Sequence, residues 1–314
     1  MRHRAVSRGL LVLSIAAGGS AFLAASILWF VGQRAYATPL FLFGLSLGPC
    51  LTIYALVPTN RKQPARRLVL ITGGLSILAF SILGRVNIDL EGFFMLLFLG
   101  TGGAAAGHTL VTVVLGPLFF GRFLCGWGCW RAMILEQLPI RRSPGRRSGA
   151  WNVLPLFGLA LSISAAAVLV FRFGQHPGGA PGAPHSARLQ TIVEGFGIYY
   201  AVSIALAFAL RDSRAFCKYL CPSGVILGLT SRFSLLKMKA DGDLCNDCGA
   251  CSKICPMDID VAHFALLGQR VKSGQCILCQ QCAHACPTNA LHLVAALDVA
   301  GRTPFMEHLS SSHS

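Results

Sequence analysis

Eight of the thirteen cysteines fall into two matching runs near the end of the chain. Cys245, Cys248, Cys251 and Cys255 read C-x2-C-x2-C-x3-C and are followed by Pro256; Cys276, Cys279, Cys282 and Cys286 repeat the spacing and are followed by Pro287. The offset is 31 residues at every cysteine, so the segment is an internal duplication. Three thiolates two residues apart wrap three irons of one cubane, and the fourth, turned away before the proline, ligates the other cluster in two-cluster ferredoxins. The spacing therefore predicts one [4Fe–4S] cluster on Cys245, Cys248, Cys251 and Cys286, and a second on Cys276, Cys279, Cys282 and Cys255. Zinc sites repeat instead as C-x2–4-C pairs with a long spacer. Gly249 and Gly274 are expected to serve the tight backbone turns of such a domain.

The rest of the chain is of another kind. Of 314 residues, 54% are hydrophobic and 12% charged, about half the charge of a soluble domain, and the mean hydropathy is +0.61. That excludes a disordered chain and an ordinary water-soluble enzyme. Six apolar spans, at about 9–31, 39–58, 68–84, 92–118, 151–171 and 189–210, approach the ~20 residues needed to cross a bilayer. The expected fold class is a mainly α membrane protein: six transmembrane helices over 1–230, a two-cluster ferredoxin-like α+β domain over 240–292, and a polar tail over 293–314. Arg2, Arg4 and Arg8 with Ala35-Tyr36-Ala37 resemble a signal peptide, but the apolar stretch exceeds the ~7–15 residues of a signal core, so the first span is expected to be retained.

The net charge of +15 reads as topology. The N-terminal segment, the 59–67 loop (Arg61, Lys62, Arg66, Arg67) and the 119–150 loop (Arg122, Arg131, Arg141, Arg142, Arg146, Arg147) carry most of the basic residues, and the alternate loops hold only Arg34, Arg85, Arg172 and Arg188. By the positive-inside rule both termini and the clusters face the cytoplasm of a bacterial inner membrane. The basic loops are expected to meet anionic lipid headgroups. No basic-aromatic patch suggests nucleic acid, and a reducing cytoplasm argues against disulfides. Residues 241–292 are mildly acidic, which suits either a solvated face or a basic partner.

A second repeat lies at the span ends. Arg122-Phe123-Leu124-Cys125 continues to Cys129, and Arg214-Ala215-Phe216-Cys217 continues to Cys221-Pro222, at an offset of 92. Both read R-x2-C-x3-C. Residues four apart share a helix face, so two such faces would present four sulfurs. That arrangement admits a third metal or Fe–S site, a pair of redox-active dithiols, or a structural role, with Arg122 and Arg214 expected to favour thiolate.

C-x3-C at span ends, together with paired C-x2-C-x2-C-x3-C-P runs, resembles the membrane polyferredoxins. These include the quinol dehydrogenase membrane subunit of periplasmic nitrate reduction and the membrane half of the nitrous oxide reductase accessory protein. The resemblance covers roughly 90–292, and it departs from the pattern at Trp130, where proline is expected. It implies an inner-membrane electron-transfer protein working between quinol and a redox partner. It carries the span-end motif onto Cys125, Cys129, Cys217, Cys221 and Pro222. The rival reading is an accessory factor that reduces a metal or thiol during assembly of another enzyme. His108, inside a span, is a candidate quinone contact, with a bond to a neighbouring helix as its alternative. Glu194 is a candidate acceptor of a quinol proton, with an interfacial anchor as its alternative.

Overall fold

Long apolar runs have only their own backbone to satisfy their polar groups in lipid, and they fold as helices. The computed structural model describes residues 2–84, 87–100, 107, 109–140, 143–174 and 185–296. His108, Arg85, Arg141, Arg142 and most of the expected polar tail lie outside the described residues.

The chain begins with helices α1 (Arg2–Phe30), α2 (Arg34–Leu45), α3 (Leu51–Leu56), α4 (Lys62–Gly84) and α5 (Leu90–Phe98). Between α2 and α3 the helix widens over Ser46–Cys50. Pro49 lies in that turn, where its missing N–H and its ring are incompatible with regular helical bonding. Among the described residues, four stretches are long and apolar enough to cross a membrane: Ala37–Leu56, Thr59–Gly84, Leu154–Phe171 and Ile192–Leu210. They coincide with the second, third, fifth and sixth expected spans. A sharply bent pair, Leu110–Phe120 and Phe123–Leu135, adds a fifth if counted as one span. In α1 the described apolar part is the shorter Ser14–Phe30. The middle of the fourth expected span lies outside the described residues.

The chain divides into two units interleaved in sequence. The first comprises Met1–Thr109, Leu124–Ile140 and Ala160–Phe216; the second comprises Leu110–Phe123, Arg141–Leu159 and Cys217–Ser314.

In the first unit the structure corrects the expected 119–150 loop. Residues Phe123–Trp127 and Trp130–Leu135 are helical, and Trp127, Trp130, Ala132 and Leu135 are buried. They pack against α4 because Gly73 and Gly74 leave room: a Cβ on Gly73 would lie 3.0 Å from Gly128 Cα, and one on Gly74 2.7 Å from Met133 Sδ. Trp130 forms a core with Ile192 and Phe196, flanked by Ile77, Leu78, Ile82, Tyr199 and Tyr200. Two arginines expected at the headgroups are instead buried and paired. Arg66 Nη2 lies 2.6 Å from Glu136 Oε2, and Arg131 Nη2 lies 3.0 Å from Asp89 Oδ1. Buried charges persist only when paired and hydrogen-bonded, and these pairings are what let a charged segment pack inside. The basic excess on that side of the sequence survives the loss of these two and of Arg122, which is buried as well.

In the second unit, β1 (Leu236–Ala240) pairs antiparallel with β2 (Leu291–Ala295), with Leu236 opposite Ala295 and Ala240 opposite Leu291. The strands bracket the cysteine duplication, so its two ends are held together. Between them run the short helices Ala250–Lys253, Val261–Leu266 and Gln281–Ala285. Asp260 caps the middle one, its carboxylate accepting from the N–H of His263, as N-cap residues do.

Candidate iron–sulfur site

The duplication extends from the cysteines into the backbone. Asp247 and Leu278, each two residues after the first cysteine of its run, have φ of 52° and 53°. Gly249 and Gln280, each just after the second cysteine, have φ of 65° and 59°. Asp258 and Asn289, each three residues after the fourth cysteine, both have φ of 54°. Left-handed residues spaced this way turn successive N–H groups inward, a concavity suited to anionic sulfur. Gly249 thus occupies the turn expected of it. Gly274 does not have a positive φ; a methyl there would collide with the backbone oxygen of Gly228. Its role is close approach.

These turns gather the eight tail cysteines into two cavities. One is lined by Cys245, Cys248, Cys251 and Cys286. The other is lined by Cys255, Cys276, Cys279 and Cys282. Each cavity takes three sulfurs from one run and the fourth from the other. Hydrogen bonds to sulfur follow the same offset: the N–H groups of Met257 and Ile259 donate to Cys255, and those of Thr288 and Ala290 to Cys286. Ile259 N lies 3.4 Å from Cys255 Sγ.

Burial decides the chemistry of the bare thiols. It pushes Cys276 up to about 12 and Cys255 up to about 11, and it raises Cys282 well above an ordinary thiol. Burial also raises Cys251. At Cys286 burial pulls upward too, but the Thr288 hydroxyl and nearby backbone N–H groups bring it below the usual value. Four sulfurs gathered in the second cavity, three of them raised by burial, ionise together only beside a compensating cation. A cluster core of iron supplies that charge, and the donor set of four thiols with inward N–H groups fits it. Among the described residues, no three His, Cys, Asp or Glu side chains stand where they could hold a single metal ion.

The span-end pairs are built alike, but not on one helix face. Cys125 lies in the Phe123–Trp127 helix, and Cys129 is the extended residue before Trp130–Leu135, with φ −71° and ψ 124°. Cys217 lies in Ala215–Tyr219, and Cys221 precedes Pro222–Thr230 with φ −62° and ψ 113°. The helix breaks between the two cysteines of each pair, which corrects the shared-face expectation. A residue before proline is pushed to extended backbone and proline suits the first helical position, which accounts for Cys221. Cys129 adopts the same conformation before Trp130. Cys125 and Cys129 belong to the first unit, Cys217 and Cys221 to the second.

Sequence reading missed the polar contacts around these pairs. Arg214 donates to the backbone oxygen of Cys125 at 3.1 Å and pairs with Glu136. Arg122 donates to the side-chain oxygen of Gln275. Lys218 Nζ lies 2.5 Å from Asp258 Oδ2 and 2.9 Å from Ser143 Oγ. A basic residue at a fixed place in each motif was the available signal. Glu194, the expected proton acceptor, is exposed and accepts from Gln190 one turn earlier at 2.8 Å.

The two four-cysteine cavities have the donor set of a dicluster ferredoxin domain. Residues 237–288 match the 4Fe-4S dicluster domain family. Residues 106–146 and 195–240, which contain both span-end motifs, match a 4Fe-4S binding domain family. The chain is 33% identical over 205 residues to the putative electron transport protein YccM of Escherichia coli, covering 59% of this chain and 54% of that relative. It thus spans about half the length of YccM. It is 29% identical over 230 residues to the methylamine utilization ferredoxin-type protein MauN of Methylorubrum extorquens, covering 68% and 76% of the two chains. With the ferredoxin-type protein NapH of Haemophilus influenzae the identity is 26% over 213 residues, covering 62% and 70%. No solved structure matches. The chain is thus similar to ferredoxin-type and electron transport proteins, and it carries regions that match 4Fe-4S domain families.

Proposed function

We propose that this protein is a six-span iron–sulfur electron carrier of the bacterial cytoplasmic membrane, exchanging electrons between the quinone pool and a redox partner. Its membrane part runs over 1–230 and its two-cluster domain over 240–292. One [4Fe–4S] cluster is held by Cys245, Cys248, Cys251 and Cys286, and the other by Cys276, Cys279, Cys282 and Cys255. Both termini and both clusters face the cytoplasm. The observation that carries this reading is the pair of cavities, each completed by a cysteine from the opposite run. Its geometry favours cubanes over zinc. One tetrahedral zinc with ~2.3 Å bonds to sulfur draws its ligands within about 4 Å of one another, whereas no such close set occurs among the described residues.

When bound, the clusters supply one-electron redox chemistry. The chain's own residues do the rest. The N–H groups of Ile259 and Ala290 donate to the sulfurs of Cys255 and Cys286, which stabilises thiolate charge and helps set the potential. Apolar Met257, Ile259, Val271 and Ile277 are buried around the second cavity and exclude water.

The test is anaerobic purification of the full chain in detergent, with iron and sulfide analysis and EPR. About eight irons per chain are expected, together with reduction by a quinol analogue in membrane vesicles. An iron-free chain would overturn the cluster assignment. Intact clusters that a quinol analogue never reduces, and whose reduced form no quinone reoxidises, would overturn the quinone link alone.

A further inference from the structure

The two cavities are not equivalent in their surroundings, although their ligand spacing is the same. Every feature that distinguishes them lies within the second unit.

The rim of the second cavity is held by residues of the span-end motifs. Arg122, three residues before Cys125, is 1% exposed and donates to the side chain of Gln275, the residue preceding Cys276. Lys218, the residue after Cys217, is 1% exposed. Its ammonium meets the carboxylate of Asp258, three residues past Cys255, at 2.5 Å. Ser143 joins the same group, donating to Asp258 at 3.0 Å. A third contact is a close backbone approach: Gly274, two residues before Cys276, abuts Gly228 in the Pro222–Thr230 helix that Cys221 opens. Ser231 donates to the oxygen of Gly274 at 2.9 Å.

The first cavity has the opposite setting. Asn246, Asp247 and Cys248 are exposed on its rim. Leu244 and Ile254 beside its cysteines are exposed as well, at 52% and 41%.

We propose that Arg122 and Lys218 are positioning residues. They clamp the second cysteine set to the membrane-side motifs and hold positive charge beside it. The second cluster is thereby the one that communicates with the span-end segment and has the higher reduction potential of the two. The first cluster is the solvent-facing one, available to a soluble partner.

Physics gives the sign. Reduction adds negative charge to a cluster, and a nearby cation stabilises the reduced form. The interaction strengthens in a poorly solvated site. Arg122 is buried, and its guanidinium meets the residue next to Cys276. The reciprocal pairing of Lys218 with Asp258 leaves a smaller net field, so Lys218 contributes more by holding the rim than by its charge.

The proposal rests on the two-cluster reading above, and its test separates the two. The full-length protein is titrated by EPR-monitored redox potentiometry, with iron content measured in parallel. Cys248→Ser and Cys282→Ser identify which signal belongs to which cysteine set. Arg122→Gln is expected to keep about eight irons and to lower the potential of the signal that Cys282→Ser alters, leaving the other in place. Arg122→Lys should restore most of that shift. An equal shift of both signals, a shift confined to the signal that Cys248→Ser alters, or no shift at all would overturn the proposal. If Arg122→Gln loses iron, Lys218→Met is titrated instead: it leaves the Asp258 carboxylate uncompensated at the rim of the second cavity, and a fall in potential confined to the signal that Cys282→Ser alters is expected. A wild-type chain with no iron would instead defeat the cluster assignment itself.

Discussion

Arg214, the first residue of the second span-end motif, donates from Nη1 to the backbone oxygen of Cys125 in the first, at 3.1 Å. The repeat of 92 residues is therefore more than two copies of one turn. An arginine from the later copy fixes the cysteine-bearing backbone of the earlier one. Its other terminal nitrogen pairs with Glu136, whose second oxygen accepts from Arg66 at 2.6 Å. One carboxylate thus joins α4, the Trp130–Leu135 segment and the end of the last span within the first unit.

Glu136→Gln should be among the most damaging single changes in the first unit. Both arginines are buried, and the amide would leave two guanidiniums without a compensating charge. Removing one partner of a buried pair typically costs about 3–5 kcal/mol. The check is unfolding in detergent followed by tryptophan fluorescence. Stability within about 0.5 kcal/mol of wild type, the usual range for an exposed substitution, would contradict the buried-network account.

The proposed crossed ligation makes a distinctive spectroscopic prediction. Cys286 lies in the second run but lines the cavity of Cys245, Cys248 and Cys251. Cys286→Ser should alter the same EPR signal as Cys245→Ser, and Cys255→Ser the same signal as Cys276→Ser. Each should reduce iron from about eight atoms toward about four. Pairing by run, with Cys286 grouped with Cys276, would refute the crossed arrangement.

The grouping of the tail cysteines into two cavities was legible because the duplicated spacing states it directly. The turns between ligands were legible only in part. Gly249, Asp247, Asp258 and Asn289 are residue types that tolerate positive φ, whereas Leu278 and Gln280 take it because their partners in the duplication do. The broken C-x3-C helix was readable at Cys221, from Pro222, and unreadable at Cys129, where Trp130 stands. The buried arginines were the main loss. A count of basic residues treats Arg66, Arg122 and Arg131 as surface charge, and the motif alone places Arg214 only beside the thiols. Their partners Glu136, Gln275 and Asp89 are 42 to 153 residues away in sequence, beyond any local pattern.

The two glycine-dependent features of the cluster domain should respond differently. Gly274→Ala forces the new methyl against the Gly228 oxygen, and overpacking of this kind costs about 1–3 kcal/mol. Gln280 occupies the left-handed position that Gly249 fills in the first repeat. Gln280→Gly should therefore stabilise the holoprotein, by about 1 kcal/mol of relieved backbone strain at most. Denaturant midpoints of cluster release, followed by visible absorbance, measure both. A Gly274→Ala midpoint equal to wild type would show that the close approach is not required.

Trp130 offers a test of backbone against side chain. Cys129 already has the extended conformation that a following proline imposes, and Trp130 is the first residue of its helix, a position that accommodates proline. Trp130→Pro should therefore leave the Cys125–Cys129 turn intact. It would nevertheless remove a ring that packs against Phe196 at 4.6 Å and Tyr200 at 5.0 Å between centroids. It would also remove the ring over which Arg131 lies at 4.6 Å. Loss of a buried tryptophan typically costs about 3–5 kcal/mol. Trp130→Phe, which keeps an aromatic face but not the full volume, should cost less. Thiol labelling of Cys129 in folded protein reads the turn, and detergent unfolding reads the packing. Unchanged labelling with lowered stability is the expected pair of results. Altered labelling in Trp130→Pro alone would mean that the tryptophan, rather than the extended cysteine, sets the shape of the turn.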